Sequence, residues 1–368
     1  MHANDLRHRD FLERARILAR QGWGHVHPNP MVGCVLVKDG RVVGEGYHQK
    51  YGGAHAEVNT LAAAGEAARG ATAYVSLEPC AHEGKTPPCT RALAAAGVAR
   101  VVFGATDGGV HSGGGADALR RHGVDVLGPL LTPEEARRDN PAFFHARESS
   151  RPWVILKLAV SLDGGIATRP GERTDLTGPE SRRRVHELRA GAQAILVGAE
   201  TVRVDDPLLT VREGVEARIP PLRVVLTASG RLPLDARLLA ELHTADTLVL
   251  AGPDVPPEVW GRWRSSGVEV EFPPSDGLGR VTLEPALEGL AKRGIQCLLC
   301  EGGSQLAGSL LAAKLVDRIH LFVAPRFLGR GHVPGVSGLP PGAGGRWIPV
   351  EPPVQRGNDV ELILDRSS

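Results

Sequence analysis

Apolar positions along the chain follow two periods that alternate repeatedly. Phe11, Leu12, Ala15, Leu18 and Ala19 recur at helical spacing, which predicts an amphipathic helix over 9–20 stopped by Gly22. Residues 32–37 read as a strand, Asp39-Gly40 as a tight hairpin turn, and 41–43 as the start of the return strand. Short β-rich runs at 73–77, 100–103 and 124–127 then alternate with Ala-rich helical stretches at 55–68, 89–96 and 115–122. Such alternation implies an α/β layer with a mostly parallel sheet.

The stretch 129–152 breaks this rhythm. It holds one short helix over 133–146 and then the polar Arg147-Glu-Ser-Ser-Arg-Pro152, which reads as a join. A second α/β series follows, with strands at 153–160, 194–197, 222–226, 247–250, 268–271, 295–300, 319–323 and 360–364. Helices are expected near 179–190, 256–265, 284–293 and 304–314, and the Gly/Pro-rich 329–345 reads as a loop. No internal repeat relates the halves, so two different domains are expected, 1–147 and 148–368.

Charge narrows the partners. The 43 basic and 42 acidic residues nearly cancel, leaving +1 and no field to hold a nucleic acid or an anionic membrane. A small molecule is the expected partner, and a homo-oligomer the expected assembly, closed dimers being commonest. The first twenty residues lack an apolar core for a signal peptide, and no run approaches the ~18 apolar residues of a membrane span. Five cysteines, an odd number, argue against a disulfide framework and for the reducing cytoplasm.

Three of those cysteines and one histidine carry the chemistry or decline it. His55-Ala56-Glu57 opens a helix, Pro79-Cys80 follows a strand, and Cys89 starts another helix. One imidazole and two thiolates form a three-ligand zinc site with an open fourth position, the catalytic arrangement. Helix starts favour thiolate, and zinc lowers the pKa of a bound water to ~7. Glu57, two residues from the histidine, is the candidate proton shuttle, as in the H-x-E…P-C signature of zinc nucleobase deaminases. Taken singly, each residue has a structural reading: His55 as a helix cap, Cys80 and Cys89 as small core residues. Cys34, inside a strand, takes that structural reading.

The usual deaminase pattern places two residues between its cysteines, whereas eight separate Cys80 from Cys89 here. The segment Cys80-Ala-His-Glu-Gly-Lys-Thr-Pro-Pro-Cys89, with His27-Pro-Asn-Pro30 upstream, resembles the bifunctional deaminase–reductase family of riboflavin biosynthesis. The resemblance continues through Lys157-Leu-Ala-Val-Ser-Leu-Asp-Gly164, Leu188-Arg-Ala190, Thr201-Val-Arg-Val-Asp-Asp-Pro-Leu-Leu-Thr-Val-Arg212 and Glu301-Gly-Gly303, in the family's order. It implies an α/β chain with an N-terminal cytidine-deaminase-like three-layer domain and a C-terminal dihydrofolate-reductase-like domain. It also implies a pyrimidine ribotide phosphate as substrate. Its 2-amino group is lost in the zinc-dependent half, and its ribosyl group is reduced to ribityl with NADPH in the other. Asn29, His48, His82 and Lys85 would then hold the pyrimidine and its ribose phosphate.

For the reductase half, Gly113-Gly-Gly-Ala-Asp-Ala118 matches G-x-G-x-x-A in letters, but a seven-residue loop separates it from its strand, so it is not a dinucleotide turn. The strand ending at Cys300 runs into Glu301-Gly-Gly303 and a helix start, which suits either a pyrophosphate or a plain strand–helix turn. The resemblance favours the first. It places Ala159, Asp175, Thr201, Asp205 and the turn Gly303, Ser304, Gln305, Leu306, Ala307, Gly308 and Ser309 at the cofactor. Arg173, Arg189, Leu209, Arg212 and Glu301 fall at the substrate, and Lys157 is the residue expected to help open the ribose, with Glu301 as its partner. A structural ion pair is the other reading of Lys157 and Glu301. Cys297 and Cys300, three apart in a strand, point to opposite faces and are expected to be core thiols.

Three departures stand out. Asp175 replaces the family's Trp, Thr227-Ala228 replaces its Asp-Ser, and Asp107-Gly-Gly-Val110 its Asp-Pro-Asn-Pro. The first two lie in the expected cofactor region and leave open a deaminase with an inactive or altered reductase half. The residues also admit a non-enzymatic nucleotide-binding module and an RNA-editing deaminase, the latter opposed by the balanced charge and the 4% aromatic content.

Overall fold

The computed structural model describes residues 3–83, 87–108 and 113–367. The chain divides into two compact units, Met1–Phe144 and His145–Ser368.

The first unit begins with α1 (Ala3–Ala19), which starts earlier than its apolar spacing signals because its first turns are polar. Strands β1 (Gly33–Lys38) and β2 (Arg41–Tyr47) form a hairpin. Its turn needs left-handed backbone at both residues, and Asp39 and Gly40 supply φ of 50° and 74°. Then come α2 (Ala56–Ala64), β3 (Thr72–Leu77), α3 (Cys89–Ala95), β4 (Arg100–Ala105), α4 (Gly115–Arg121) and β5 (Asp125–Leu127). The sheet runs β2-β1-β3-β4-β5. Only β3–β4 and β4–β5 are parallel. The hairpin strand β1 pairs antiparallel on both sides, so the sheet is mixed rather than mostly parallel.

Alternation along the strands divides the core between two faces. Cys34, Leu36, Ala73, Val75 and Val101 pack under α2, α3 and α4 through Ala56, Leu93 and Leu119. Val35, Val37, Tyr74 and Val102 face the other way, onto Ala15 of α1. The result is three layers. The helix expected over 133–146 is two, α5 (Pro133–Asp139) and α6 (Pro141–Glu148), because Asn140 precedes a proline and leaves the helical region. The Asn140 amide bonds the Met31 backbone on both sides, accepting from its N–H and donating to its carbonyl.

The second unit is built on β6 (Trp153–Ser161), β7 (Gly165–Ala167), α7 (Pro179–Gly191), β8 (Ala194–Gly198), α8 (Ala199–Asp205), β9 (Leu222–Thr227) and α9 (Arg237–Ala240). These are followed by β10 (Thr247–Ala251), α10 (Pro257–Ser265), β11 (Glu269–Glu271), α11 (Leu283–Lys292), β12 (Cys297–Cys300) and α12 (Ser304–Ala312). The chain finishes with β13 (Arg318–Ala324), β14 (Val333–Pro334), β15 (Trp347–Pro349), β16 (Val354–Arg356) and β17 (Asp359–Arg366). The large sheet runs β11-β10-β9-β8-β12-β6-β13-β17-β15, parallel as far as β13 and antiparallel beyond. One face packs on α11 and α12 through Leu287, Leu290, Leu306 and Leu310, the other on α8, α9 and α10 through Val202, Leu238 and Trp263. The seven-residue α8 and the short β7, β14, β15 and β16 carry too few apolar repeats to be read from sequence. Cys297 and Cys300 are buried and free. No helix among the described residues is long and apolar enough to cross a membrane.

Helix α7 is tied to the sheet by charge. Glu361 on β17 is fully buried and meets His320 Nδ1 at 2.7 Å, Arg356 at 2.7 Å and Arg184 of α7 at 3.3 Å. Burial alone would raise its pKa, but the bond to His320 and the charge of Arg184 outweigh it and bring the carboxyl to about 2. A depressed acid stabilises the fold above its unfolded pKa and loses that contribution as pH falls. Acid titration of stability should therefore show a loss between about pH 4.5 and about 2 that Glu361→Gln flattens, at the expense of stability near neutrality. An unchanged profile in the variant would remove this network from the account.

Candidate active sites

In the first unit, three junctions aim side chains at one point. His55 occupies the N-cap position of α2 in extended backbone, yet its ring does not cap the helix. Its Nδ1 lies 3.3 Å from Cys89 Sγ and 3.5 Å from Cys80 Sγ, and the three donor atoms lie within 4.8 Å of one another. The Cys89 backbone N–H, at the start of α3, donates to Cys80 Sγ at 3.4 Å. Hydrogen bonds from Cys89 and His55 hold the Cys80 thiol below the usual thiol range, while the bond to Cys80 and burial push Cys89 up. A soft, closely grouped His/Cys/Cys set fits a zinc ion, and three protein donors are the catalytic form of that site.

Glu57 sits in the first turn of α2, buried beside this cluster. Burial and the neighbouring Cys80 raise its pKa, and its carboxyl shares a hydrogen bond with Cys89. His48, also buried, stacks edge-on to His55 at 5.2 Å. Its Nδ1 is 3.0 Å from the Ala54 carbonyl, so Nδ1 carries the proton and Nε2 accepts from the Asn29 amide at 3.2 Å. Two of the expected pyrimidine contacts thus stand together beside the ligands. His82 is exposed on the loop after Cys80, and Lys85 lies outside the described residues.

Sequence reasoning missed what holds the Cys80 loop. Glu78 is buried and accepts from the Ala116 N–H at 2.9 Å and the Asp107 N–H at 3.4 Å, fastening the end of β3 to the start of α4. A Cβ at Gly115 would collide with the Pro79 carbonyl oxygen. The glycine run that mimics a dinucleotide motif therefore contains a close-approach point next to Cys80. A Gly-x-x run preceding a helix carries no such signal by itself.

In the second unit, charged groups gather just beyond the carboxyl end of β12, level with Lys157 in the middle of β6; open parallel sheets place their ligands beyond strand carboxyl ends. Cys300 pairs with Leu156, so Glu301 follows in register with Lys157. The Glu301 carboxylate, however, is held by Arg189 of α7 through two bonds of 2.6 and 2.9 Å. Lys157 has no carboxylate within ion-pair distance among the described residues, so the expected Lys157–Glu301 pair is replaced by Arg189–Glu301, because the planar guanidinium matches a carboxylate bidentately. Burial lowers the Lys157 pKa, while the charges of Glu301 and Asp205 oppose the shift and Arg189 adds to it.

Thr201 of α8 faces the turn after β12, its hydroxyl 3.1 Å from where a Gly303 side chain would begin. Ala159 is half-buried on β6, and Asp205, at the end of α8, has its pKa raised by burial and lowered by Arg173 and Lys157. Ser304, Leu306 and Ala307 point inward: the Ser304 hydroxyl donates to the Pro334 carbonyl at 2.6 Å, and Leu306 and Ala307 join the core. The Ala307 N–H already bonds the Gly303 carbonyl and a Cβ at Gly308 would meet the Ser337 carbonyl, which leaves the backbone N–H groups at the α12 start to face an anion; Gln305 and Ser309 are exposed. The Leu209 side chain is likewise spent in the core, leaving its backbone to face a ligand. Arg173 and Asp175 are exposed and paired with each other at 2.9 Å.

Comparison with known proteins agrees with this division. Residues 6–105 match the cytidine and deoxycytidylate deaminase zinc-binding region, and residues 152–342 match the RibD C-terminal domain. The riboflavin biosynthesis protein RibD of Actinobacillus pleuropneumoniae is 41% identical over 87% of this chain and 84% of its own length. That of Aquifex aeolicus is 40% identical over 90% of each. The chain belongs to the RibD family of riboflavin biosynthesis proteins. The solved Acinetobacter baumannii RibD superimposes with a TM-score of 0.84 at 34% identity, covering 99% of this chain and 100% of that one. A Thermotoga maritima structure described as a diaminohydroxyphosphoribosylaminopyrimidine deaminase/5-amino-6-(5-phosphoribosylamino)uracil reductase gives 0.82 at 33%. As a RibD family member, the chain is a bifunctional enzyme of riboflavin biosynthesis, with a zinc-binding deaminase half and a reductase half suited to NADPH.

Zinc content tests the first site. Purified wild-type protein should carry about one zinc per chain. Cys80→Ser and Gly115→Ala should lose it, while Glu57→Gln keeps it. Full zinc in Cys80→Ser would exclude this cysteine as a ligand.

Proposed function

We propose that the 1–147 domain hydrolytically deaminates 2,5-diamino-6-(5-phosphoribosylamino)pyrimidin-4-one and that the 148–368 domain reduces the ribosyl group of the product to ribityl. The convergence of His55, Cys80 and Cys89 beside a buried Glu57 is the observation that carries the reading. When bound, zinc supplies Lewis acidity toward water and NADPH supplies a hydride.

The residues divide the remaining work. Glu57, whose raised pKa makes its carboxylate a stronger base, takes a proton from the attacking water and passes it to the ring nitrogen; it then carries the second proton, from the newly formed hydroxyl, to the amino group, which departs as ammonia. Asn29, with its amide N–H already on His48, keeps its carbonyl for the pyrimidine edge. His48, pushed neutral by burial, orients it. In the second half, Lys157 is the proton source for opening the ribose ring, its lowered pKa making release easier. Arg212 has no carboxylate within ion-pair distance among the described residues and suits the ribotide phosphate. The α12 start, with Thr201 and Asp205 nearby, suits the cofactor pyrophosphate and ribose. The free, buried cysteines accord with the cytoplasm, and a homo-oligomer is the assembly proposed.

One observation favours a second reading. Asp175 and Arg173 engage each other, so two residues expected at cofactor and substrate are mutually occupied. This suits a deaminase whose reductase half is slow or inactive. Incubation with the diaminopyrimidine ribotide and NADPH separates the two: ammonia release and NADPH oxidation together support the main reading, ammonia alone the second. Glu57→Gln should cut deamination by about a hundred- to ten-thousand-fold with zinc retained. Lys157→Met should cut reduction by about a hundredfold and leave deamination intact. Absence of ammonia release by the zinc-loaded wild type would overturn the proposal.

A further inference from the structure

Helix α7 grips the segment 209–212 at two points. Arg189 donates to the Thr210 carbonyl at 2.8 Å while holding Glu301 with its other nitrogens. One turn earlier, buried His186 accepts the Arg212 backbone N–H on Nδ1 at 3.0 Å. Residues three apart on a helix share a face, so a single face of α7 fixes both ends of a short segment. That segment needs fixing. Leu209 has φ of 51° and Glu213 has φ of 58°, left-handed conformations that branched or bulky side chains rarely adopt and that persist only when surroundings impose them.

The bond sets the state of the imidazole. A backbone N–H can donate to Nδ1 only when that nitrogen carries no proton. Burial, with the charges of Arg189 and Arg212, pushes His186 down to about 4, so its environment and its bond agree. Arg212 itself is exposed, with one guanidinium nitrogen 3.3 Å from the Thr210 hydroxyl. Its backbone is held and its side chain is left to reach outward.

We infer that His186 is a positioning residue of the reductase site, its unprotonated Nδ1 anchoring the Arg212 backbone so that the Arg212 guanidinium is presented to the ribotide phosphate. This rests on the reading under Proposed function. His186 touches neither substrate nor cofactor; it acts through Arg212.

Steady-state kinetics of the full zinc-loaded chain with the deaminated ribotide and NADPH test it. His186→Leu removes the acceptor and leaves the Arg212 N–H unpaired; the KM for ribotide should rise about tenfold, with kcat and the NADPH KM within about twofold. His186→Asn places an acceptor oxygen near the Nδ1 position and should restore the KM to within about twofold. Imidazole nitrogen NMR of the wild type should show an unprotonated Nδ1 at about pH 6, a readout independent of turnover. An unchanged ribotide KM in His186→Leu, no recovery in a folded His186→Asn, or a protonated Nδ1 would each overturn the inference. A wild type that does not reduce the ribotide fails the functional reading itself and takes this inference with it; a wild type that does, with silent His186 variants, fails only the inference.

Discussion

A reactive metal site requires side chains from separate elements to end at one point, and strand–helix junctions supply that here. His55, Cys80 and Cys89 each stand where backbone direction changes, at the entry to α2, just beyond β3 and at the entry to α3. Junctions between a sheet and its covering helices lie along one edge, so three of them converge without strain in any single element. Neighbouring contacts support that edge. The Glu78 clasp and the bare Gly115 let α4 close on Pro79, and α2 carries Glu57 in its first turn, two residues after His55.

The second unit handles buried charge differently. It has no ligand cluster among the described residues; its centre is a carboxylate, Glu301, neutralised by Arg189 from a helix that is itself tied down through Arg184 and Glu361. Breaking one partner of such a pair strands the other charge in a dry setting and costs about 3–5 kcal/mol. The pairing leaves Lys157 with no carboxylate at ion-pair distance among the described residues, and burial lowers its pKa. Placement of α7 therefore governs Arg189, Glu301 and the segment bearing Arg212 together.

Much of this was legible in the residues. The H-x-E and P-C junctions marked the His55, Cys80 and Cys89 cluster because each motif coincided with a predicted change of element. Apolar alternation located the long strands, since each buries a face. The mixed pairing of the first sheet is not encoded in its apolar pattern, because periodicity reports that a strand is half-buried and says nothing of its neighbours' direction. The break at Asn140-Pro141 follows from the residue before a proline avoiding the helical region, within a stretch whose composition is otherwise helical. Ion-pair choice was not legible: Lys157 and Glu301 lie in register, but only the packed helix reveals that Arg189 reaches the carboxylate first. His186 and Glu78 act through backbone N–H groups of distant residues, a contact no local pattern encodes.

The zinc-edge X-ray absorption spectrum of the purified enzyme tests the central claim most directly. The account predicts a first shell of two sulfurs at about 2.3 Å and two lighter atoms at about 2.0–2.1 Å, one from imidazole and one from solvent. A shell of four sulfurs, or one of light atoms alone, would contradict it.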